Sequence, residues 1–155
     1  MSLKPIITRQ YQAMSDEAAT TAGTLSTPPE GWLRTARKAL GLSGAQLARR
    51  IGVTRALISQ TEKNELTGAV SLKTLEQMAR AMGCKLVYAI VPMEGRIEDL
   101  IAARAQEKAL ALVQKAGSQM ALEAQHLSPQ QIQYEIGRLQ RQLLSEMPSD
   151  LWDDQ

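Results

Sequence analysis

The segment from Leu42 to Glu62 constrains the fold of this chain more than any other. It is typical of two short helices joined by a tight turn. Ser43 can cap the first helix, and Gln46, three residues later, completes a capping box. Gly52 supplies the left-handed residue that ends this helix, and Thr54 can cap the next one. The local chemistry therefore predicts where both helices begin and where the first one ends.

Apolar spacing within this segment predicts how the two helices pack. Leu47, Ala48 and Ile51 fall on one face of the first helix. Because Ala48 is small, the second helix can cross close over the first, with Ile58 packing underneath. These features predict a helix-turn-helix, the motif whose second helix lies in the major groove of DNA.

The flanking residues extend the pattern, and the whole of residues 31–84 resembles the phage-repressor (XRE-type) helix-turn-helix family. A narrower resemblance rests on three short motifs: Gly-Trp-Leu-Arg from Gly31, Leu-Lys-Thr-Leu from Leu72, and Val-Tyr-Ala-Ile-Val-Pro from Val87. Together they are similar to the "mobile mystery protein A" family. Members are small bacterial DNA-binding proteins found on mobile elements beside a Fic-domain partner.

The charge of the chain is unevenly distributed. Residues 30–91 hold ten Lys and Arg against four Asp and Glu, whereas residues 92–155 hold six against ten. The net charge is therefore +6 and −4 in the two stretches, and the first 29 residues balance. A basic stretch that coincides with the motif is the electrostatic footprint of a DNA-binding protein. A solvated helical surface is the alternative interpretation.

The predicted fold class is mainly α: a repressor-like helix-turn-helix bundle, one β-strand and a C-terminal helical appendage. With 3% aromatic residues and no Phe, the core must be aliphatic. The chain divides into four parts: an N-terminal arm and linker (1–29) with a possible short helix (6–19), a helix-turn-helix DNA-binding domain (30–83), a dimerisation strand (84–92), and a helical dimerisation or partner region (93–155).

The last part contains a long amphipathic helix over residues 96–125. Ser128, followed by Pro129 and Gln131, begins another helix with a cap, a first-turn proline and a capping box. We expect that helix to fray into the acidic residues at the end of the chain.

Residues 84–91 are β-branched and aromatic enough for a strand that ends at Pro92. One strand cannot satisfy its own backbone groups, and the sequence offers no second convincing strand. We therefore predict a homodimer in which the strand pairs antiparallel with its copy. Packing along the chain's own C-terminal helix is the alternative. The predicted dimer-strand residues are Leu86, Val87, Tyr88, Ala89 and Ile90.

Resemblance to the repressor-type family implies roles for the second helix. Its exposed face would read base edges through Arg55, Ala56, Ser59 and Gln60. Arginine suits guanine and glutamine suits adenine. The expected contacts to the DNA backbone come from Gly44, Thr54, Lys63, Asn64 and Thr67.

Several charged residues keep alternative interpretations. Arg49 and Arg50 close the first helix, either as phosphate contacts or as partners of its dipole. Arg37 and Lys38 either contact the DNA backbone or belong to a solvated face, and the solvated face is the favoured interpretation. Glu62 matches a common acidic position in the family, and we expect it to be structural.

Three uncharged residues depart from the family pattern. Gly44 replaces the Gln that often opens the first helix, which removes a phosphate-binding side chain but keeps a backbone amide at a helix N-terminus. Leu57 stands where a small polar residue is usual, and could contact a thymine methyl group or pack inward. Thr61 occupies a commonly apolar core position.

Catalysis finds no support in the residue pattern. His126 is isolated, and Cys84 has no positioned histidine. The sequence lacks a glycine-rich phosphate loop and a cluster of metal ligands, so we expect no enzyme activity, no cofactor and no metal. A single Cys, and no apolar run near the ~20 residues needed to span a bilayer, predict a soluble cytoplasmic protein. The family resemblance implies that the cell is bacterial and that the protein is nucleoid-associated when bound to DNA.

Taken together, these features predict a sequence-specific transcriptional regulator that reads an inverted repeat as a dimer and autoregulates its operon. The alternative is an antitoxin-like protein that restrains a Fic-domain enzyme. Residues 26–31 fit the inhibitory Ser/Thr-x-x-x-Glu-Gly/Asn pattern of such systems. That inhibitor acts from a helix, and Pro28 and Pro29 argue against a helix there.

Overall fold

The computed structural model describes residues 3–123 and 126–154. The described residues divide into two units, one of residues 21–89 and one that combines residues 1–20 with residues 90–155. No described helix has both the length and the apolar character needed to cross a membrane. The described helices are α1 (Lys4–Ala22), α2 (Trp32–Ala39), α3 (Gly44–Ile51), α4 (Arg55–Thr67), α5 (Leu72–Ala81), α6 (Ile97–Leu122) and α7 (Pro129–Glu146).

The unit of residues 21–89 is a four-helix bundle of α2 to α5, with an aliphatic and methionine core as the composition predicts. Helix α3 packs against both α4 and α5. Ala48 and Ile58 are 3% and 1% exposed, so the close crossing of α4 over α3 is confirmed. The buried core residues are Leu33, Leu47, Ala48, Ile58, Met78 and Met82.

The caps of α3 and α4 have the predicted form. Ser43 Oγ accepts from the Gln46 amide at 3.1 Å, and Gln46 Oε1 accepts from the Ser43 amide at 2.7 Å. Gly52 ends α3 in the left-handed region, at φ 83°. Thr54 Oγ1 then accepts from the Leu57 amide at 3.1 Å. Four residues of local sequence therefore specify where α3 begins, where it ends and where α4 begins.

The predicted β-strand is wrong for the single chain, because the described residues contain no strand and residues 84–92 have no regular secondary structure. A strand exists only through hydrogen bonds to a neighbour, and the sequence-based prediction had placed that neighbour in a second copy. Leu86 is half-buried, whereas the next four residues are exposed: Val87, Tyr88, Ala89 and Ile90.

The other unit is built on an antiparallel pair of long helices, α6 and α7. Small residues of α6 allow close packing, since Ala105 and Ala109 are fully buried. The predicted cap of α7 is confirmed: Ser128 forms a capping box, with a proline at the start of the helix. Helix α6 was predicted to extend to residue 125; it ends at Leu122, and residues 124 and 125 lie outside the described residues.

The chain end is folded back onto α6 rather than frayed, so that prediction is wrong. Leu151 is 1% exposed and packs in a cluster with Ile101 and Ala105. Arg104 donates to the carbonyl oxygens of Leu151 at 2.7 Å and Asp153 at 2.8 Å. Burial of Leu151 and the hydrogen bonds from Arg104 stabilise the folded position of this segment. This stabilisation exceeds the gain from solvating the acidic side chains around Leu151.

Helix α1 is longer than the predicted 6–19 and belongs to the same unit as α6. Asp16 accepts a 2.9 Å hydrogen bond from the Ile97 amide and lies 3.5 Å from Arg96. A carboxylate at the first turn of α6 satisfies an orphan amide and complements the helix dipole. The N-terminal helix is thus anchored through its polar residues, and none of its own residues is buried.

We expect Leu151→Ala to lower the free energy of unfolding of this unit by about 2–5 kcal/mol, because it leaves a cavity at a fully packed site. Urea unfolding followed by the fluorescence of neighbouring Trp152 measures the loss. Leu122→Ala is the matched control, at a side chain that is 90% exposed, and should change stability by no more than about 0.5 kcal/mol. Equal effects of the two substitutions would contradict the packing described here.

Candidate nucleic-acid interface

The residues predicted to read bases lie together on one exposed face of α4. Arg55, Ala56, Ser59 and Gln60 are all exposed. Positions i, i+1, i+4 and i+5 share a side of an α-helix, and here that side is opposite buried Ile58 and Thr61. The structure therefore brings the four predicted side chains to one surface.

Arg55 occupies the first position of α4, where a cation opposes the helix dipole. The first turn has no acidic residue to offset this charge, and none of the described residues forms an ion pair with Arg55. Such a placement is electrostatically unfavourable within the isolated protein. An external acceptor, such as a phosphate or the O6 and N7 atoms of guanine, would relieve it.

Gln60 is oriented by its neighbour one turn later. Its Nε2 donates to Asn64 Oδ1 at 2.9 Å. The second Nε2 hydrogen and the Oε1 oxygen of Gln60 are not used by this bond. One donor and one acceptor side by side form the pair that recognises adenine N7 and N6. Asn64, predicted as a backbone contact, is half-buried and holds the Gln60 amide.

The other predicted backbone contacts surround this face. A surface groove of about 380 Å³ is lined by Gly44 at the start of α3 and by Arg55, Ser59 and Lys63 of α4, together with the paired carboxylates of Glu30 and Glu62. Thr54 and Thr67 are exposed at the two ends of α4. Phosphate ligands of this kind, amides and hydroxyls at helix ends together with a lysine, are those that position proteins on a duplex.

The acidic residues of this unit are all engaged. Glu30 lies 3.0 Å from Lys38, Glu62 lies 2.7 Å from Arg37, and Glu76 lies 2.8 Å from Arg80. Glu65 accepts backbone amides. The hydrogen bond from Lys38 lowers the pKa of Glu30. The cations of residues 21–89 that have no ion-pair partner among the described residues are Arg49, Arg50, Arg55, Lys63, Lys73 and Lys85.

Arg37 was predicted to belong to a solvated face, and that prediction is wrong. Its Nε and Nη2 atoms donate to the Glu62 carboxylate at 2.9 and 2.7 Å, and its Nη1 donates to the Leu42 carbonyl at 3.0 Å. The two side chains are only 14% and 9% exposed. The bidentate pair ties α2 to α4 and to the loop before α3. Glu62 is structural, as predicted.

A second carboxylate of α4 holds the start of α2, which sequence reasoning missed. Glu65 accepts from the Trp32 amide at 2.7 Å and the Leu33 amide at 2.9 Å. Gly31 has φ 83°, and a Cβ there would lie 2.9 Å from Glu65 Oε1. The glycine therefore admits both the left-handed backbone and the approach of the carboxylate. Partners so far apart in the chain leave no local pattern.

The remaining alternatives concern Arg50, Leu57 and Thr61. Arg50 Nε donates to the Ala81 carbonyl at 3.1 Å, at the end of α5, so this arginine stabilises a helix terminus. Leu57 does not pack inward: its side chain is 48% exposed. Thr61 is 5% exposed and its hydroxyl donates to the Leu57 carbonyl at 2.7 Å, which satisfies a polar group in the core.

Residues 33–88 match a family model described as helix-turn-helix. The match begins within α2 and extends past the end of α5, so it covers the surface described above. It confirms the predicted XRE-type resemblance for these residues and is consistent with a DNA-binding regulator. The narrower resemblance to the mobile mystery protein A family is not reproduced. No curated protein and no solved structure matches the chain.

We expect Glu62→Ala to reduce the free energy of unfolding of the bundle by about 3–5 kcal/mol, because it leaves the Arg37 guanidinium buried without its partner. Replacing both residues, as Arg37→Met with Glu62→Leu, should cost less than this single substitution. Chemical denaturation measures the free energy of unfolding of the single variant, the double variant and the control. Glu76→Ala is the control, since it breaks an exposed pair worth under about 1 kcal/mol. A double replacement that costs as much as Glu62→Ala, or more, would contradict this account of the buried pair.

Proposed function

We propose that this protein is a sequence-specific DNA-binding regulator of transcription that inserts the exposed face of α4 into the major groove. The observation that carries the proposal is the difference between the acidic and the other polar side chains of α4. Its carboxylates, Glu62 and Glu65, are satisfied by α2. Arg55, Ser59 and Gln60 are exposed. A polyanion can approach these three side chains without meeting an unpaired acid of the same helix.

In this proposal, contacts to phosphates set the register and contacts to base edges set the sequence. The Gly44 amide at the start of α3, together with Thr54, Lys63 and Thr67, holds the two DNA backbones. Arg55 reads a guanine, and Gln60, held by Asn64, reads an adenine. Ala56 and Ser59 lie between them and permit close approach to the groove floor.

We expect Arg55→Ala combined with Gln60→Ala to abolish discrimination between operator and random duplex, since each reading pair supplies about 1–3 kcal/mol. Fluorescence anisotropy measures both affinities, with an operator selected from the protein's own upstream region or from a random pool. Residual binding should remain steeply salt-dependent, because other phosphate contacts persist.

The matched control for that experiment is Arg80→Ala combined with Gln77→Ala, which removes the same two residue types from exposed positions on α5. It should leave discrimination at the wild-type level. A reading surface on α4 is excluded if the α4 variant keeps its preference for the operator, or if the α5 variant loses it.

We further propose that the protein acts as a homodimer through residues 84–92 and reads an inverted repeat. Exposed Val87, Tyr88 and Ile90 give this segment an apolar surface of 71–89% exposure per side chain. None of the backbone amides of residues 85–91 donates a hydrogen bond within the described chain. A second copy would cover the apolar side chains and would accept hydrogen bonds from the backbone amides. Two-fold symmetry would then place half-sites about 34 Å apart.

We expect the full-length protein to be a dimer at micromolar concentration by multi-angle light scattering. Ala89→Pro should yield a monomer, because a proline within a ladder disrupts strand pairing. Met93→Pro, one residue beyond the native Pro92, is the control and should remain dimeric. A monomeric wild-type protein would remove dimerisation from the proposal and leave DNA binding to be judged by its own experiment.

A binding function without catalysis, action in the cytoplasm and autoregulation of the protein's own operon complete the proposal. The antitoxin-like alternative gains no support from the segment that fits the Fic-inhibitory pattern. Residues 26–31 are not helical, as Pro28 and Pro29 predict, and Glu30 is paired with Lys38. A Fic-domain partner therefore stays a prediction of the family resemblance.

A further inference from the structure

An apolar groove of about 290 Å³ lies in the unit of residues 21–89, apart from the surface proposed to meet DNA. Trp32 and Leu25 on its walls are 44% and 64% exposed. The one acidic residue that lines it, Glu65, has both carboxylate oxygens bonded to backbone amides. The groove is therefore suited to an aliphatic side chain. Its principal lining residues are Leu25, Trp32, Leu33, Leu75, Met82 and Leu86.

One wall of this groove is part of residues 85–91, whose backbone amides donate no hydrogen bond within the described chain. Lys85, Leu86 and Val87 line the groove, and Tyr88 and Ile90 follow directly, 71% and 89% exposed. An edge with free amides beside an exposed apolar surface is suited to the addition of a strand. Whatever pairs with residues 85–91 must therefore lie next to the groove.

Two-fold symmetry restricts how a second copy can pair here. In an antiparallel pair related by a two-fold axis, residue i faces residue 2c − i, where c is the residue at the axis. Two facing residues are then both even-numbered or both odd-numbered. The side chains of Leu86, Tyr88 and Ile90 of both copies therefore lie on one face of the pair. The segment is bounded by Gly83, which has a φ of 74°, and by Pro92. Centring the axis on Tyr88 pairs residues 85–91 and keeps both of these out of the ladder.

A hydrogen bond already present favours the same arrangement. The carbonyl of Ile90 accepts from Ser15 Oγ at 2.9 Å. In a strand, alternate residues direct their amide and carbonyl groups to opposite edges. The amides and carbonyls of even-numbered residues point to one edge, and that edge is occupied at Ile90 by Ser15. The amides and carbonyls of residues 85, 87, 89 and 91 point to the other edge, which is free to pair. With Tyr88 at the axis, Leu86 and Ile90 of the second copy form a non-hydrogen-bonded pair, in which side chains approach most closely.

We propose that this groove is the receptor for Ile90 of a second copy, which enters it beside Leu86 and contacts Trp32 and Leu25. Two such contacts form in each dimer, one on each side of the axis. The inference rests on the dimerisation part of the proposed function. It adds that residues distant in sequence, at the start of α2 and before it, set the strength of the dimer.

The test compares the dimer dissociation constants of full-length variants by sedimentation equilibrium. We expect Leu25→Glu and Ile90→Glu each to weaken the dimer at least tenfold, because each places a carboxylate in the apolar groove. Leu40→Glu is the matched control, at a side chain that is 52% exposed and is not part of the groove, and should change the constant less than twofold. Circular dichroism confirms that each variant is folded.

A second measurement uses the tryptophan in the groove. In a Trp152→Phe background, the emission of Trp32 should shift to shorter wavelength as the protein dimerises on concentration, since Ile90 of the second copy removes water from the ring. Ile90→Glu should abolish the shift.

The outcomes separate the groove from the strand. A wild-type dimer that Leu25→Glu leaves intact, with no shift of Trp32 emission, would overturn the groove and retain dimerisation. A monomeric wild-type protein would overturn both.

Discussion

The buried pair of Arg37 and Glu62 is the interaction on which the arrangement of the bundle depends. It fixes α2 against α4 and holds the loop that leads into α3 through the Leu42 carbonyl. Burying two charges is costly unless every polar atom finds a partner, and the bidentate geometry provides those partners. Glu62 and Glu65 are both satisfied by α2, so the exposed surface of α4 carries no unpaired carboxylate. One set of contacts thus orients the helix and determines the sign of the charge that it presents to solvent.

The same arrangement explains why a weakly charged protein can be suited to a polyanion. The net charge is only +2, but three of the four acids of residues 21–89 are paired with cations and the fourth, Glu65, is bonded to backbone amides. Arg55 and Lys63, in contrast, have no ion-pair partner among the described residues. Local pairing rather than total charge governs the field at short range, because the Debye length in physiological salt is about 8 Å. The acidic side chains at the chain end lie in the other unit.

Local chemistry made the helix-turn-helix predictable from sequence. Ser43, Gly52 and Thr54 act within three or four residues of themselves, so spacing alone indicated their roles. The residues predicted to read bases came from the family resemblance, and register on α4 places them on one exposed face. Interactions between residues distant in sequence were not predictable. Glu65 caps a helix 32 residues earlier, and Leu151 packs against α6 from the chain end. The strand prediction failed for a related reason: β-pairing is a property of two segments, and residues 84–92 contain one of them.

Methylation interference tests the central claim, that the exposed face of α4 senses bases in the major groove, most directly. Methylating guanine N7 blocks the major-groove edge, whereas methylating adenine N3 blocks the minor groove. The account predicts that N7 methylation of one guanine in each half-site prevents binding of the wild-type protein, and that Arg55→Ala is insensitive to the same modification. Interference confined to adenine N3, or equal sensitivity of the wild-type protein and Arg55→Ala to N7 methylation, would contradict it.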